Sequence, residues 1–441
     1  MWIGIDDTDS PRGGCTTHVF TEVVRTAQAL GFDLLGDPRL VRLNPNVPWK
    51  TRGNAALSGR FGHGKGRPLS IGRGPGGEPI RRYTQGSELD PDERQTLLDE
   101  AWSTVVRTAR VGEPGTEPAL VATGEPLPAS LYWRAVRGVV SVSLVQRILR
   151  RVHATARWIG EPRGVVGAAA SIAWPAESAT YELLAYRPAD REGVPRKVSV
   201  ESMRRAERAE PRLFLTYDAR TRRLLAVPHT PCPILFGLRS RTRRPLLRAR
   251  WIVRSEPVDR WLIYRTNQGT GDHLVDRPIC RVPPLTSVRS TGLVSTPPQA
   301  RPGGHVVFTV RDRHGHIRPV IAFEPTKTLP RVAQRLAPGD RVRLWGSRGT
   351  TDLLRLEGIE ILAVAPRYGP ARAPPCPVCG RRTQSAGRGR GYRCRRDGTR
   401  LPPEAAERVL VPPGIEVGVY HPTPSARRHL APLEPTGPIG R

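Results

Sequence analysis

Trp2-Ile3-Gly4-Ile5-Asp6-Asp7-Thr8-Asp9-Ser10-Pro11-Arg12-Gly13-Gly14-Cys15-Thr16-Thr17 stands almost at the start of the chain. Trp2 to Ile5 reads as a buried strand. Asp6, Asp7 and Asp9 follow at once, then a Pro-Arg-Gly-Gly turn. Thr16 and Thr17 can then cap or open a helix expected over Thr17–Leu30. Carboxylates hold hard cations through oxygen. Free N–H groups at a turn such as Gly13-Gly14 and at a helix start, aided by the helix dipole, hold phosphate. The stretch therefore fits a Mg²⁺ and phosphate site. An acidic surface turn capping a helix accounts for the same residues equally well.

The chain has 441 residues, room for about three domains. With 38% hydrophobic residues it can form ordinary cores. Lys plus Arg number 70 against 40 Asp plus Glu, a net charge of +30. Such a surplus points to a polyanion, most often nucleic acid. Only Lys50, Lys65, Lys197 and Lys327 are lysines, and arginine suits bidentate phosphate contacts and stacking on bases. A coding bias toward arginine explains Arg over Lys better than it explains the imbalance. The cysteines (15, 232, 280, 376, 379 and 394) are half scattered and half clustered, which is not a disulfide framework. With no long apolar window and no basic-then-apolar leader, a cytoplasmic protein without a membrane span is expected.

Four modules are expected: 1–135, 136–248, 249–366 and 367–441. In the first, strands over Trp2–Ile5, Arg39–Leu43, Ala55–Phe61 and Ala119–Ala122 alternate with helices over Thr17–Leu30 and Pro91–Arg110, an α/β pattern. Gly62 to Gly77 reads as a mobile, phosphate-seeking loop. The second module is mixed, with a helix over Leu144–Val152, strands over Thr180–Arg187 and Arg212–Tyr217, and a basic linker or exposed edge over Leu238–Arg250. In the third, β runs (Trp251–Val253, Val306–Val310, Val320–Phe323, Arg341–Trp345, Leu354–Leu362) and the Pro338-Gly339-Asp340 turn suggest a small closed barrel. It is a single-stranded nucleic-acid platform if of OB type, and otherwise a spacer. A proline-rich linker, 366–375, precedes the last module.

Cys376-x-x-Cys379 followed by Cys394 reads as a zinc ribbon with Asp397 at the fourth position. The alternative is a ribbon held by packing, with Gly-Arg-Gly-Arg-Gly-Tyr-Arg (387–393) serving a single strand. Lys50 and Arg52 lie two residues apart ahead of a strand and share a side if extended. There they could neutralise a triphosphate. A solvated basic loop has the same appearance.

Ile3–Thr17 and Arg42–Asn54 resemble, in order, motifs of the archaeal tRNA(Ile) agmatidine synthetase family. So do Thr180–Arg187, Thr266-Asn267-Gln268-Gly269-Thr270, Gly303–Phe308, Glu324–Thr326 and Ala426-Arg427-Arg428-His429-Leu430. The resemblance runs nearly end to end. It implies a multidomain α+β protein: a kinase-like catalytic domain, a ferredoxin-like domain, an OB-fold and a zinc ribbon. It also implies ATP-dependent attachment of agmatine to C2 of the wobble cytidine of tRNA(Ile) with a CAU anticodon, with Mg²⁺ and zinc and no obligate protein partner. By motif position, Asp6, Asp7 and Asp9 are the metal and phosphate acids. Thr16 is the threonine that takes a phosphate during ATP cleavage, and Gly13, Gly14, Thr17, Lys50, Arg52 and Asn54 contact the nucleotide. Tyr181 and Glu182 are candidates for the agmatine guanidinium, and Arg427 and Arg428 for RNA phosphates.

Three positions depart from the family pattern. Cys232, in Pro228-His229-Thr230-Pro231-Cys232-Pro233, stands where the family has Asp. Thr116-Glu117-Pro118-Ala119 replaces Asn-Pro-Gly. Asp397 replaces a cysteine. Two other readings stay open: a non-catalytic tRNA or single-strand binder, and an ATP-dependent RNA enzyme acting on a different amine or tRNA. The acids together with Thr16 favour the synthetase, because a binding module has no need of them.

Overall fold

The computed structural model describes residues 1–369 and 372–433. Pro370 and Ala371 of the expected linker, and residues 434–441 of the last expected module, lie outside the described residues. The chain begins with β1 (Trp2–Asp6), α1 (Thr16–Ala29), β2 (Asp33–Leu35), β3 (Arg39–Arg42), β4 (Ala55–Lys65), β5 (Leu69–Arg73), β6 (Pro79–Tyr83) and β7 (Gln85–Ser87). Next come α2 (Pro91–Thr108), β8 (Ala119–Thr123), α3 (Ala129–Arg137), α4 (Val142–Arg151) and β9 (Thr155–Trp158). Then follow α5 (Gly164–Ala173), β10 (Thr180–Tyr186), α6 (Val200–Ala209), β11 (Tyr217–Asp218), β12 (Arg223–Leu224), β13 (Ile234–Ser240), α7 (Arg243–Ile252) and β14 (Arg260–Thr266).

These strands, β11 and β12 apart, form one 12-stranded sheet in the order β13-β10-β14-β5-β6-β2-β4-β1-β8-β9, with β3 bridging β14 and β4 and β7 paired to β4. β1 is central because both its faces are buried. Ile3 and Ile5 enter the core under α1 and α2, while Trp2 packs into the core under α3, α4 and α5. The expected 135/136 boundary falls within α3, and β9 still pairs with β8.

Helix α5 lies unusually close to β1. A Cβ on Gly4 would sit 2.3 Å from the Ala168 carbonyl oxygen, and one on Gly167 would run into the Asp6 carboxylate. Arg39 fixes the far end of α5 by donating Nη1 to the carbonyls of Ile172 (2.9 Å) and Trp174 (2.8 Å), while its guanidinium stacks 4.3 Å over Trp2. On the opposite face, Tyr264 Oη of β14 donates to the Thr17 carbonyl (2.8 Å) and pairs with Thr21 Oγ1 (2.8 Å), so α1 is anchored by a distant strand.

The remainder forms a barrel and a ribbon: β15 (Leu274–Asp276), β16 (Thr286–Val294), β17 (Gln299–Arg301), β18 (His305–Arg311), β19 (Ile317–Ala322), α8 (Thr328–Ala333), β20 (Arg341–Arg348) and β21 (Leu354–Ala363). β16, β20, β21, β19 and β18 close into a ring, the last contact being β18 with β16. After β22 (Arg367–Tyr368), β23 (Gln384–Ser385), β24 (Tyr392–Arg393) and β25 (Arg400–Leu401) make the small ribbon sheet. β26 (Leu410–Val411) then pairs with β22, and β27 (Gly418–Tyr420) with β21. The tail returns to the first unit: Gly269 N–H donates to the His429 carbonyl (2.8 Å) and Gly271 N–H to that of Leu430 (2.9 Å). Leu430 is buried beside α5.

Several local expectations change. Gly62–Gly77 is not a loop: β4 runs on to Lys65 and β5 answers it. Gly62 and Gly64 serve close packing, since a Cβ at Gly62 would sit 2.3 Å from the Ser87 oxygen and one at Gly64 would meet the Tyr83 ring. Leu238–Arg250 is the end of β13 and most of α7, whose Leu246 and Ala249 are buried; Trp251, expected in a strand, lies within that helix. Of Arg212–Tyr217 only Tyr217 is in a strand.

Gly4→Ala is expected to lower stability by about 1–3 kcal/mol, because strand and helix must separate. Denaturant unfolding checks this, and an unchanged midpoint would show that the close approach is not needed.

Candidate active site

Asp6 ends β1, and Asp7 turns the chain with φ +59°. Its carbonyl accepts from the Glu117 N–H (3.1 Å), and Thr116 Oγ1 donates to the Asp9 carbonyl (3.0 Å). The altered Thr116-Glu117 segment therefore braces the acids from behind and adds a carboxylate beside Asp7. Ser10 and Gly13 close a tight turn through reciprocal bonds of 3.0 and 3.3 Å, and Gly14 takes φ +72°. Helix α1 starts next, and its N-cap Cys15 makes no side-chain cap bond. The first turn of that helix, with Thr16 and Thr17, lines the same cavity as the acids.

A cavity of about 780 Å³ joins these parts. Asp6, Asp7, Asp9, Thr16 and Thr17 line it, with Lys50, Arg52 and Asn54 from the β3–β4 connection and Arg163, Gly164 and Gly167 from the start of α5. Arg42, Glu182, Arg239 and His429 line it too. A smaller cavity of about 410 Å³ shares Arg42, Lys50, Arg52 and His429 and is also lined by Arg428.

Burial raises all three acids. Asp6 lies well above the ordinary carboxylate range through burial and then the charge of Asp7. Asp7 rises to about 7 through burial, then Asp9 and Glu117, with Arg163 opposing. Asp9 is raised by burial, moderated by Arg52 and by Thr51, whose Oγ1 is 3.3 Å away. Asp6 Oδ1 accepts from the Asp7 N–H (2.8 Å). Among the described residues, one guanidinium reaches ion-pair distance of these three carboxylates, Arg52 Nη1 at 3.5 Å from Asp9. The negative charge left over is charge that a bound cation would compensate.

The expected site residues divide. The acids, Thr16, Thr17, Lys50, Arg52, Asn54 and Glu182 line one cavity; Gly13 and Gly14 do not, being packed against Arg110. Arg52 acts on the loop, donating to the carbonyls of Ser10 (2.8 Å), Gly14 (2.9 Å) and Pro231 (3.0 Å). Lys50 Nζ donates to the Pro45 (2.7 Å) and Val47 (3.0 Å) carbonyls. Asn54 Nδ2 holds the Asn44 carbonyl (2.8 Å). Glu182 faces the cavity but is engaged by Arg239 Nε (2.8 Å) and Gln268 Nε2. Tyr181 is its neighbour on a strand and so points to the other face, 5.2 Å beneath the Arg243 guanidinium. Arg428 ties modules together, donating to Asn46 Oδ1 (2.7 Å) and Ser347 Oγ (3.2 Å) and pairing with Glu357 (3.1 Å). Arg427 is half buried, its Nε 3.5 Å from the Pro422 carbonyl. Cys232 is buried at the cavity wall, with Arg196 Nη2 donating to its sulfur (3.2 Å) and its carbonyl (2.9 Å).

Helix α5 escapes the sequence reading. Gly-Val-Val-Gly-Ala-Ala-Ala (164–170) is the available signal, since small residues along a helix permit close approach to a sheet. Asn267 stands in a family-like motif, but the sequence gives it no task. It clamps the Arg42 backbone from both sides (2.7 and 2.9 Å) and joins β14 to the β3 edge.

In the ribbon, Cys376, Cys379, Cys394 and Asp397 bring one ligand atom each to within 4.8 Å of one another. Asp397 stands 3.3 Å from Cys376 Sγ, and Cys379 Sγ 3.5 Å from Cys394 Sγ. Matching knuckles, Gly380 N–H to the Cys376 carbonyl (2.9 Å) and Gly398 N–H to that of Cys394 (3.1 Å), place the donors in facing pairs. This donor set suits zinc.

Folded Asp7 keeps its proton to about pH 7, whereas the unfolded residue releases it near 3.8. Between those values the unfolded state binds fewer protons, so Asp7 contributes destabilisation that grows as pH rises and is complete above about 7. Asp7→Asn should therefore stabilise the protein at pH 8, by up to about 4 kcal/mol, and leave it little changed at pH 4. Melting curves at both pH values check this; equal shifts would contradict it.

The chain is similar along its whole length to known proteins. Family models match residues 2–160 (TiaS TCKD domain), 162–273 (TiaS FLD domain) and 373–409 (TiaS C-terminal zinc ribbon domain). The 2-agmatinylcytidine synthetase TiaS of Methanosarcina mazei, named for an isoleucine tRNA, is 34% identical over 444 residues, covering 98% of this chain and 96% of that protein. Its counterpart in Archaeoglobus fulgidus is 33% identical over 437 residues, with 98% and 96% covered. The crystal structure of TiaS in complex with its isoleucine tRNA and ATP superposes with a TM-score of 0.84 at 32% identity, over 100% of this chain and 98% of that one. A TiaS complex with the tRNA, AMPCPP and agmatine gives 0.81 at 29% identity, over 98% and 96%. With such identity across nearly its full length and models matching in order, the chain belongs to the TiaS family.

Proposed function

We propose that this chain is an ATP-dependent ligase that joins the primary amine of agmatine to C2 of the wobble cytidine of tRNA(Ile) with a CAU anticodon. The observation that carries the proposal is the meeting, in one cavity, of buried acids, an uncapped helix start and Thr16. Full-length similarity to proteins so named supports it.

The cytosine C2 oxygen is a poor leaving group. Transfer of a nucleotidyl group to it from ATP, with pyrophosphate leaving, lets it depart as AMP when the amine attacks C2 and gives up a proton. Asp6, Asp7 and Asp9 have the donor chemistry for Mg²⁺, which when bound would spread the triphosphate charge. The α1 N-terminus binds phosphate oxygens, and Thr16 presents its hydroxyl beside them. Lys50 adds positive charge at the rim, while Arg52 holds the loop carbonyls away from the phosphates. Trp49, 51% exposed at the cavity edge with Arg163 5.2 Å over its ring, offers a stacking face for an extruded base. Agmatine enters on the Glu182, Arg239 and Cys232 side. Glu182 orients that wall through Arg239 and Gln268; the Tyr181 ring stays outside it. Arg427 and Arg428 set the tail against the catalytic unit and keep the RNA path aligned.

By module, the region matched over 2–160 is the kinase-like part, that over 162–273, which carries β14 into the large sheet, the ferredoxin-like part, the barrel that follows the OB-fold, and 373–409 the ribbon. The closed five-stranded ring with α8 between β19 and β20 supports the OB assignment. Zinc in the ribbon is held by Cys376, Cys379, Cys394 and Asp397. The enzyme works in the cytoplasm; no helix among the described residues is long and apolar enough to cross a membrane.

Protein with ATP, Mg²⁺, agmatine and the tRNA should yield the agmatine adduct in nuclease digests read by mass spectrometry. ATP cleavage without an adduct would favour a different amine or tRNA; neither would sink the ligase reading. Thr16→Ala should reduce the rate by at least about 10²–10³-fold with tRNA binding retained, as should Gly167→Ala, whose methyl group must displace Asp6. Asp397→Cys should raise zinc affinity, because thiolate is the softer ligand, in competition with a chelator; unchanged affinity would remove Asp397 from the site.

A further inference from the structure

Away from the cavity, three donors of different chemical type meet at one end of the barrel. Cys280 comes from a single helical turn, Ile279–Arg281, before β16. Asp312 directly follows β18, and His316 directly precedes β19, on the connection Asp312-Arg313-His314-Gly315-His316. One ligand atom from each lies within 4.8 Å of the others.

Asp312 is only 7% exposed. Its Oδ1 accepts from the N–H groups of His314 (2.9 Å) and His316 (3.1 Å), which sets the plane of the carboxylate. Its Oδ2 is buried without a hydrogen bond of good geometry, and the Cys280 thiol is the polar side chain from outside the hairpin that faces the carboxylate. A buried carboxylate oxygen that faces a thiol in this way is a ligand atom within reach of a cation. His316 Nδ1 is 3.5 Å from Oδ1, and its ring is largely exposed, so it can turn onto an ion without disturbing the core. The backbone of the cysteine turn is held from behind. Arg318, buried, donates Nε to the Ile279 carbonyl (2.6 Å) and Nη2 to the Cys280 carbonyl (3.1 Å). The thiol therefore comes from a separate segment pinned against the hairpin, not from the hairpin's own turn.

We propose that Cys280, Asp312 and His316 form a second transition-metal site, of the class that binds zinc, with solvent as the fourth ligand. Thiolate, imidazole and carboxylate together are a zinc donor set, whereas Mg²⁺ and Ca²⁺ take oxygen. Closing to bonding distances of about 2.0–2.3 Å requires side-chain rotation only, on the order of 1 Å. Nothing in the proposed ligase chemistry uses these residues. The ion's role is to staple the β18–β19 hairpin to the segment that runs from Cys280 to β16. That segment docks on the catalytic unit, where Asn44 Nδ2 donates to the Leu285 carbonyl (2.9 Å).

The test is metal content of the full-length chain after equilibrium dialysis against zinc with excess Mg²⁺. Cys280→Ser and His316→Ala should each lose about one equivalent per chain relative to the unaltered protein, while Cys376→Ser loses a different one. With Co²⁺ in place of zinc, Cys280→Ser should remove a thiolate-to-cobalt absorption band that Cys376→Ser leaves intact. His316 is at the surface, so His316→Ala guards against loss by misfolding, checked by circular dichroism. Metal content unchanged in both Cys280→Ser and His316→Ala would overturn the proposal. So would a cobalt spectrum accounted for by the ribbon cysteines alone.

Discussion

The close approach of α5 to β1 is the constraint on which the candidate site depends. Gly4 and Gly167 leave no room for a methyl group between strand and helix. Glycine weakens a helix interior by roughly 1 kcal/mol relative to alanine. Here an alanine at 167 would collide with Asp6, so the weaker helix former is the one compatible with a buried acid. Arg39 then secures the other end of the helix. Helix and strand together wall off one side of Asp6 and Asp7, and this partial burial raises both carboxyls.

Positive charge in this protein works in two ways. A surplus of +30 speaks for a polyanionic partner. Yet several arginines nearest the cavity are engaged with the protein itself. Arg52 gathers the loop carbonyls, Arg239 holds Glu182, and Arg428 joins Asn46 to Ser347 and Glu357. A guanidinium has several donors in a fixed fork, so a single side chain can satisfy carbonyls from two or three segments. Arginine thus shapes the floor of the cavity, and charge for a ligand is left to side chains at its rim.

The tail shows how distant parts of the chain complete one site. His429 sits in the cavity wall with Nδ1 3.1 Å from Gln268 Oε1, and Gln268 also engages Glu182. Arg42 and burial hold the His429 ring well below its usual range, so it is neutral at pH 7. The barrel and ribbon lie between these partners in sequence, yet the last described residues return to lace along Gly269–Gly271.

The amino-acid order by itself was enough for what is local. The first strand, the helix after the glycine turn, the start of α2 at Pro91, four of the five ring strands and the ribbon donors follow from periodicity, caps and spacing over a few residues; the ring strand β16 does not, and Trp251, expected in a barrel strand, lies in α7. Tertiary structure decided what depends on approach between distant segments. It made Gly62–Gly64 strand glycines packed under Tyr83 and Ser87, and turned the basic run 243–252 into a helix with Leu246 and Ala249 inward. It also engaged Glu182 while sending Tyr181 to the other face. Burial and close contact are properties of pairs of segments, so neither segment's sequence states them alone.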